Sequence, residues 1–102
     1  MRRRARVDNN QKEIVAGLRA AGYAVLHLHA VGGGCPDLLV SSRRHMRLME
    51  VKEAKGVLTP CQVEFFEEWK GVRPAIVRSV EDAIGAMTAL DERDLRLGVD
   101  SV

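Results

Sequence analysis

At Gly22 the hydrophobic pattern of the sequence changes period. Before it, Ile14, Val15, Leu18 and Ala21 recur at helical spacing. After it, Tyr23 to His29 alternates, with Ala24, Leu26 and Leu28 on one face and Val25, His27 and His29 on the other. An amphipathic helix followed by a half-buried strand is buried most naturally by laying helices on a sheet, which makes the chain α/β. Asp8-Asn9-Asn10 offers side-chain acceptors to the first free amides of the helix, and Gly22 stops it, so the first helix covers residues 9–21.

The rest of the chain is punctuated as clearly. Gly32-Gly33-Gly34 makes a loop, and Asp37 to Ser42 with Leu38-Leu39-Val40 reads as a second strand. A polar turn from Ser41 to His45 leads into a third strand from Met46 to Glu53, forming a hairpin with the second. Thr59 as cap and Pro60 at the first helical position open a second helix that Gly71 closes. Arg73 to Arg78 holds a short fourth strand, Ala75-Ile76-Val77. Ser79 caps a third helix, with Glu81 and Asp82 in its first turn and Ala83, Ile84, Met87 and Leu90 as its apolar stripe. Residues 1–8 read as a basic arm, 9–90 as the domain and 91–102 as a charged, aperiodic tail.

A length of 102 residues fits one domain. No apolar run reaches the roughly 18–20 residues of a membrane span. Cys35 and Cys61 lack metal-type spacing and do not form a disulfide framework, so a reduced, cytoplasmic setting is expected. Charge is uneven: residues 1–80 carry 14 Lys or Arg against 8 Asp or Glu, and residues 81–102 carry 2 against 6. The basic part could attract a phosphate backbone.

The chemistry lies in Pro36-Asp37 and in Glu50-Val51-Lys52. Glu50 and Lys52 are two apart on one strand and share a face. If the two strands pair, Asp37 comes near Glu50. Alone, an Asp after Pro is most often a turn residue, and a Glu-x-Lys on a strand an exposed ion pair. Joined by a glycine loop and a hairpin, they form a different object. Two close carboxylates repel each other, and a hard divalent cation such as Mg²⁺ or Mn²⁺ removes that cost. Lys52 could position a water and stabilise negative charge developing on a phosphodiester.

Gly34-Cys35-Pro36-Asp37-Leu38-Leu39-Val40, Glu50-Val51-Lys52 and Gly56-Val57-Leu58-Thr59-Pro60-Cys61-Gln62 together resemble the VRR-NUC family, the virus-type replication-repair branch of the PD-(D/E)XK nuclease superfamily. The resemblance covers roughly residues 8–90 and looks like the stand-alone phage and bacterial members. It implies a restriction-endonuclease-like core, αβββαβα, with a mixed four-stranded sheet flanked by helices. It implies that Asp37, Glu50 and the Val51 carbonyl hold the metal, that Lys52 is the catalytic lysine, and that Gln62 borders the site. Related nucleases often place a metal-associated Glu on the first helix. The matching position is Gln11, with Glu13 as the alternative. A neutral amide would hold a second ion poorly, which favours one essential Mg²⁺ or Mn²⁺.

The function implied is a metal-dependent endonuclease for branched DNA such as four-way junctions, leaving 5′-phosphate and 3′-hydroxyl ends. Symmetric cutting of a junction needs two sites, hence a homodimer, with Phe65, Trp69 and the third helix as its expected interface. Arg43, Arg44 and Arg47 in the hairpin, and Lys55 after Lys52, are the expected DNA contacts. Two rival readings remain: a non-catalytic nucleic-acid-binding module, and a restriction-type nuclease cutting duplex DNA. Cutting by the chain with metal, lost on Lys52→Ala, separates the first rival; preference for branched over linear DNA separates the second.

Overall fold

The computed structural model describes residues 9–97. In chain order the elements are α1 (Asn9–Ala20), β1 (Ala24–His27), β2 (Leu38–Ser41), β3 (Met46–Val51), α2 (Pro60–Glu68), β4 (Ala75–Val77) and α3 (Val80–Leu97). The four strands form one sheet in the order β1-β2-β3-β4. The first two pairings are antiparallel and β3 with β4 is parallel. The sheet is therefore mixed, and helices flank it. Among the described residues no helix is long and apolar enough to cross a membrane.

Local signals set the helix ends. Gly22 adopts φ 99°, and the Tyr23 and Gly22 amides donate to the Leu18 and Arg19 carbonyls, a glycine-terminated helix end that satisfies α1's last carbonyls. At α2, Thr59 and Gln62 cap each other reciprocally, with Pro60 at the first helical position. At α3 the Ser79 hydroxyl accepts from the Asp82 amide, and Asp82 in turn accepts from the Arg78 amide.

One sheet face makes the core. Val25, Leu38, Val40, Met49, Val51 and Val77 pack with Ile14, Val15 and Leu18 of α1 and with Ala83, Met87 and Leu90 of α3. Gly17 lets α1 approach α3 closely, since a Cβ there would overlap the Val80 side chain. Residues alternating with that core set face the other side, where α2 lies. There Leu48, Glu50 and Phe66 are buried, while Leu26, Met46 and Ile76 stand exposed.

On β1 the core residue is Val25; Ala24 and Leu26 face outward, because the register Val25↔Val40 puts Val25 on the helix-covered side. Helix α3 runs on to Leu97, so residues 91–97 are helical and not tail. Asp91 and Asp94 lie on that extension and hold it to the β2–β3 turn. The basic arm at 1–8 and the segment 98–102 lie outside the described residues.

Candidate active site

The site forms where β2 begins and β3 ends. The register Leu38↔Met49 places Asp37 level with Glu50. The Asp37 carbonyl accepts from the Leu28 amide (2.7 Å), which pins its backbone to the chain just after β1. Its side-chain Oδ2 accepts from the Val51 amide (2.9 Å) and so reaches across to β3. Glu50 sits between the core residues Met49 and Val51, and therefore points to the α2 side.

Glu50 is 3% exposed. Its Oε2 receives a hydrogen bond from Gln62 Nε2 (3.0 Å), and Lys52 Nζ lies 3.5 Å from the same oxygen. Its Oε1 is buried without a hydrogen-bond partner among the described residues. Burial, and then the charge of Asp37, push the Glu50 carboxyl up from its ordinary 4.5 to about 7, although Lys52 pulls the other way. The same surroundings raise the Cys35 thiol, through burial first and then Glu50 and Asp37.

Gln62 has two tasks. Its Oε1 accepts from the Thr59 amide (2.9 Å) as part of the α2 cap, and its Nε2 donates to Glu50. The cap thus fixes the amide that orients the carboxylate. Gly34 sets where α2 begins. It adopts φ 81°, and a Cβ there would overlap the Cys61 carbonyl, so the glycine loop is docked against the first turn of α2.

Asp37, Glu50, Lys52 and Gln62 are thus brought together. Gln11 is buried on the α1 side, 3.5 Å from His27 Nδ1, and Glu13 is exposed. Among the described residues no group of three His, Cys, Asp or Glu side chains suited to a metal ion occurs. The carboxylates that the fold brings together are those of Asp37 and Glu50. Hard oxygen donors and an orphaned, buried Glu50 Oε1 fit a hard divalent cation.

The hairpin arginines lie elsewhere. The turn joins Ser41 to Met46, which pair at the opposite end of the two strands from Asp37 and Glu50. Arg44 lies 3.3 Å from Asp94 and 3.7 Å from Asp91, and His45 Nε2 lies 2.9 and 3.2 Å from the same two carboxylates. Arg47 donates to the Arg73 and Ala86 carbonyls, and burial lowers its pKa. Arg44 and Arg47 thus brace the fold, and Arg43 is exposed at the far tip. Lys55 is exposed at the site's end of the sheet.

Asn10 and Arg78 are placed at the site without having been singled out in the sequence. Asn10 Nδ2 donates to the Lys52 and Arg78 carbonyls, and the Arg78 guanidinium reaches carbonyls of the turn after Lys52. An Asn near a helix start reads first as a cap, and an Arg at a strand end gives no local signal.

No protein-family model matches the chain, and searches of curated proteins and of solved structures return no significant match.

Proposed function

We propose that this chain is a divalent-metal-dependent DNA endonuclease of the VRR-NUC type, with a PD-(D/E)XK core. The observation that carries the reading is the buried Glu50 Oε1, left without a donor among the described residues, beside the Asp37 carboxylate and with Lys52 Nζ 3.5 Å from the other oxygen. Taking a carboxylate out of water without full pairing is costly, and a cation at this point removes the cost.

In this reading Asp37, Glu50 and the Val51 carbonyl would hold one Mg²⁺ or Mn²⁺. When bound, such an ion supplies Lewis acidity toward a phosphodiester oxygen and acidifies water. Gln62 holds Glu50 in one orientation. Lys52 positions the attacking water and stabilises negative charge gathering on the phosphorus-bound oxygens. The water oxygen, giving up one proton to solvent, bonds to phosphorus as the bond to the 3′-oxygen breaks, and that oxygen takes up a proton from solvent, leaving a 5′-phosphate and a 3′-hydroxyl.

Branched DNA, with four-way junctions foremost, is the proposed substrate class, and recombination or repair the setting. A homodimer supplies the two sites that symmetric cutting requires. Leu26, Met46 and Ile76, exposed on the outer sheet face, and the Phe65–Trp69 ring stack offer it an apolar surface.

The test is cleavage of an end-labelled four-way junction against linear duplex, with Mn²⁺ or Mg²⁺, using wild type and Lys52→Ala. Metal-dependent cutting, preferring the junction and reduced at least about a hundredfold in the variant, is expected. Binding without cutting by wild type would instead make the chain a nucleic-acid-binding module.

A further inference from the structure

Hydrogen bonds from two distant parts of the chain converge on the Lys52 peptide. Lys52 lies one residue past β3. Its amide donates to the Val77 carbonyl (3.1 Å), and its own carbonyl accepts from Asn10 Nδ2 (3.1 Å). The Lys52 peptide is therefore held from β4 on one side and from the first turn of α1 on the other. The same Asn10 amide nitrogen lies 3.3 Å from the Arg78 carbonyl. Two carbonyl acceptors fix which end of the Asn10 amide faces them, since only the nitrogen carries protons.

Beyond Lys52 the chain turns, closed by the Gly56 amide on the Glu53 carbonyl (2.9 Å). Arg78 Nη1 lies within reach of the Glu53, Ala54 and Gly56 carbonyls, the last at 2.9 Å. One cation thus gathers three carbonyl acceptors of the turn. The turn in its place packs on the lysine stem. A Cβ built on Gly56 would stand 3.3 Å from Lys52 Cδ and 3.4 Å from Lys52 Cβ, so any side chain at this position would press on the stem.

We propose that Arg78 and Asn10 are positioning residues that aim the Lys52 ammonium at the Asp37–Glu50 pair. The catalytic value of that aim rests on the nuclease reading; the clamp itself does not. Arg78 acts through the turn and Gly56 on the side chain, and Asn10 acts on the Lys52 backbone. Neither residue needs to touch DNA. A misplacement of the order of an ångström at a reacting group costs up to about a hundredfold in rate.

The experiment uses the full chain and three variants, Arg78→Gln, Asn10→Ala and Gly56→Ala. Gly56 is outside the left-handed region, so alanine is compatible with its backbone; its methyl group would press on the Lys52 stem and the Glu53 carbonyl while leaving the Arg78 and Asn10 side chains themselves unaltered. Two quantities are read. The first is junction cleavage, resolved into kcat, KM and the salt dependence of KM. The second is the rate at which acetic anhydride labels Lys52 in metal-free protein without DNA, followed by mass spectrometry. The clamp predicts a kcat about tenfold or more lower, with KM and its salt slope unchanged, and Lys52 labelling raised several-fold in all three variants. Unchanged Lys52 labelling overturns the proposal. So does a raised KM with a salt slope reduced by about one in Arg78→Gln, since that is the mark of a lost phosphate contact. If the wild type cuts no DNA, the nuclease reading fails by itself, and the labelling rates alone decide the clamp.

Discussion

At Glu50, burial and the neighbouring Asp37 carboxylate act in the same direction. Together they push the Glu50 carboxyl up from its ordinary 4.5 to about 7 in the folded chain. Between these values the folded state holds a proton that the unfolded state has lost, so stability rises as pH falls through that window. Above about pH 7 the charged form carries its full penalty. In a chelator, the melting temperature of the wild type should therefore climb from pH 8 toward pH 5 by more than that of Glu50→Gln. Equal pH profiles for the two proteins would contradict this assignment. Adding Mn²⁺ should reverse the trend, because the ion and the proton compete for the same carboxylate. Asp37 and Glu50 were legible as a pair because a proline–aspartate step and a Glu-x-Lys strand are local marks. The roles of Asn10 and Arg78 were not, because each acts through a carbonyl more than 20 residues away in sequence.

Among the elements, the glycine loop and α2 form one unit. Gly34 carries both a left-handed backbone and a contact that a methyl group would fill, so Gly34→Ala should cost about 2–4 kcal/mol. Gly22 has a similar φ but open space around it, so Gly22→Ala should cost only about 1 kcal/mol. Urea unfolding compares the two, and cleavage adds a second comparison: only Gly34→Ala shifts α2, and with it Gln62, away from Glu50. Equal costs for both would show that the docking on Cys61 is unimportant. Helix starts and stops were readable because Gly22 and the Thr59-Pro60-Gln62 cap act on amides beside them. The buried face of β1 was not, since Ala24 and Leu26 are apolar yet point outward. Nor was the length of α3, where the apolar stripe ends at Leu90 but Asp91 and Asp94 continue the helix by gripping Arg44 and His45. The hairpin arginines stand apart from the carboxylates for a topological reason: a hairpin's turn lies at the far end from the residues that enter and leave it.

For the molecule as a whole, the sheet leaves one apolar face incompletely covered. Leu26 is 60% exposed, Met46 55% and Ile76 41%, all on the outer side. Replacing exposed side chains leaves the core intact, so Leu26→Asp and Ile76→Asp should fold and yet sediment as monomers, with the wild type sedimenting as a dimer. A wild type that is monomeric at every concentration would remove the two-site account of junction cutting. The overall α/β layout followed from periodicity, whereas the polarity of the outer sheet face was concealed by the alternation of β1.

The decisive measurement is a calorimetric titration of Mn²⁺ into the metal-free chain near pH 7, repeated with Asp37→Asn and Glu50→Gln. We expect one ion per chain, bound with release of a proton, and loss of that binding in both variants. Saturable binding that persists unchanged in the two variants, or none in the wild type, would contradict the assignment of this carboxylate pair.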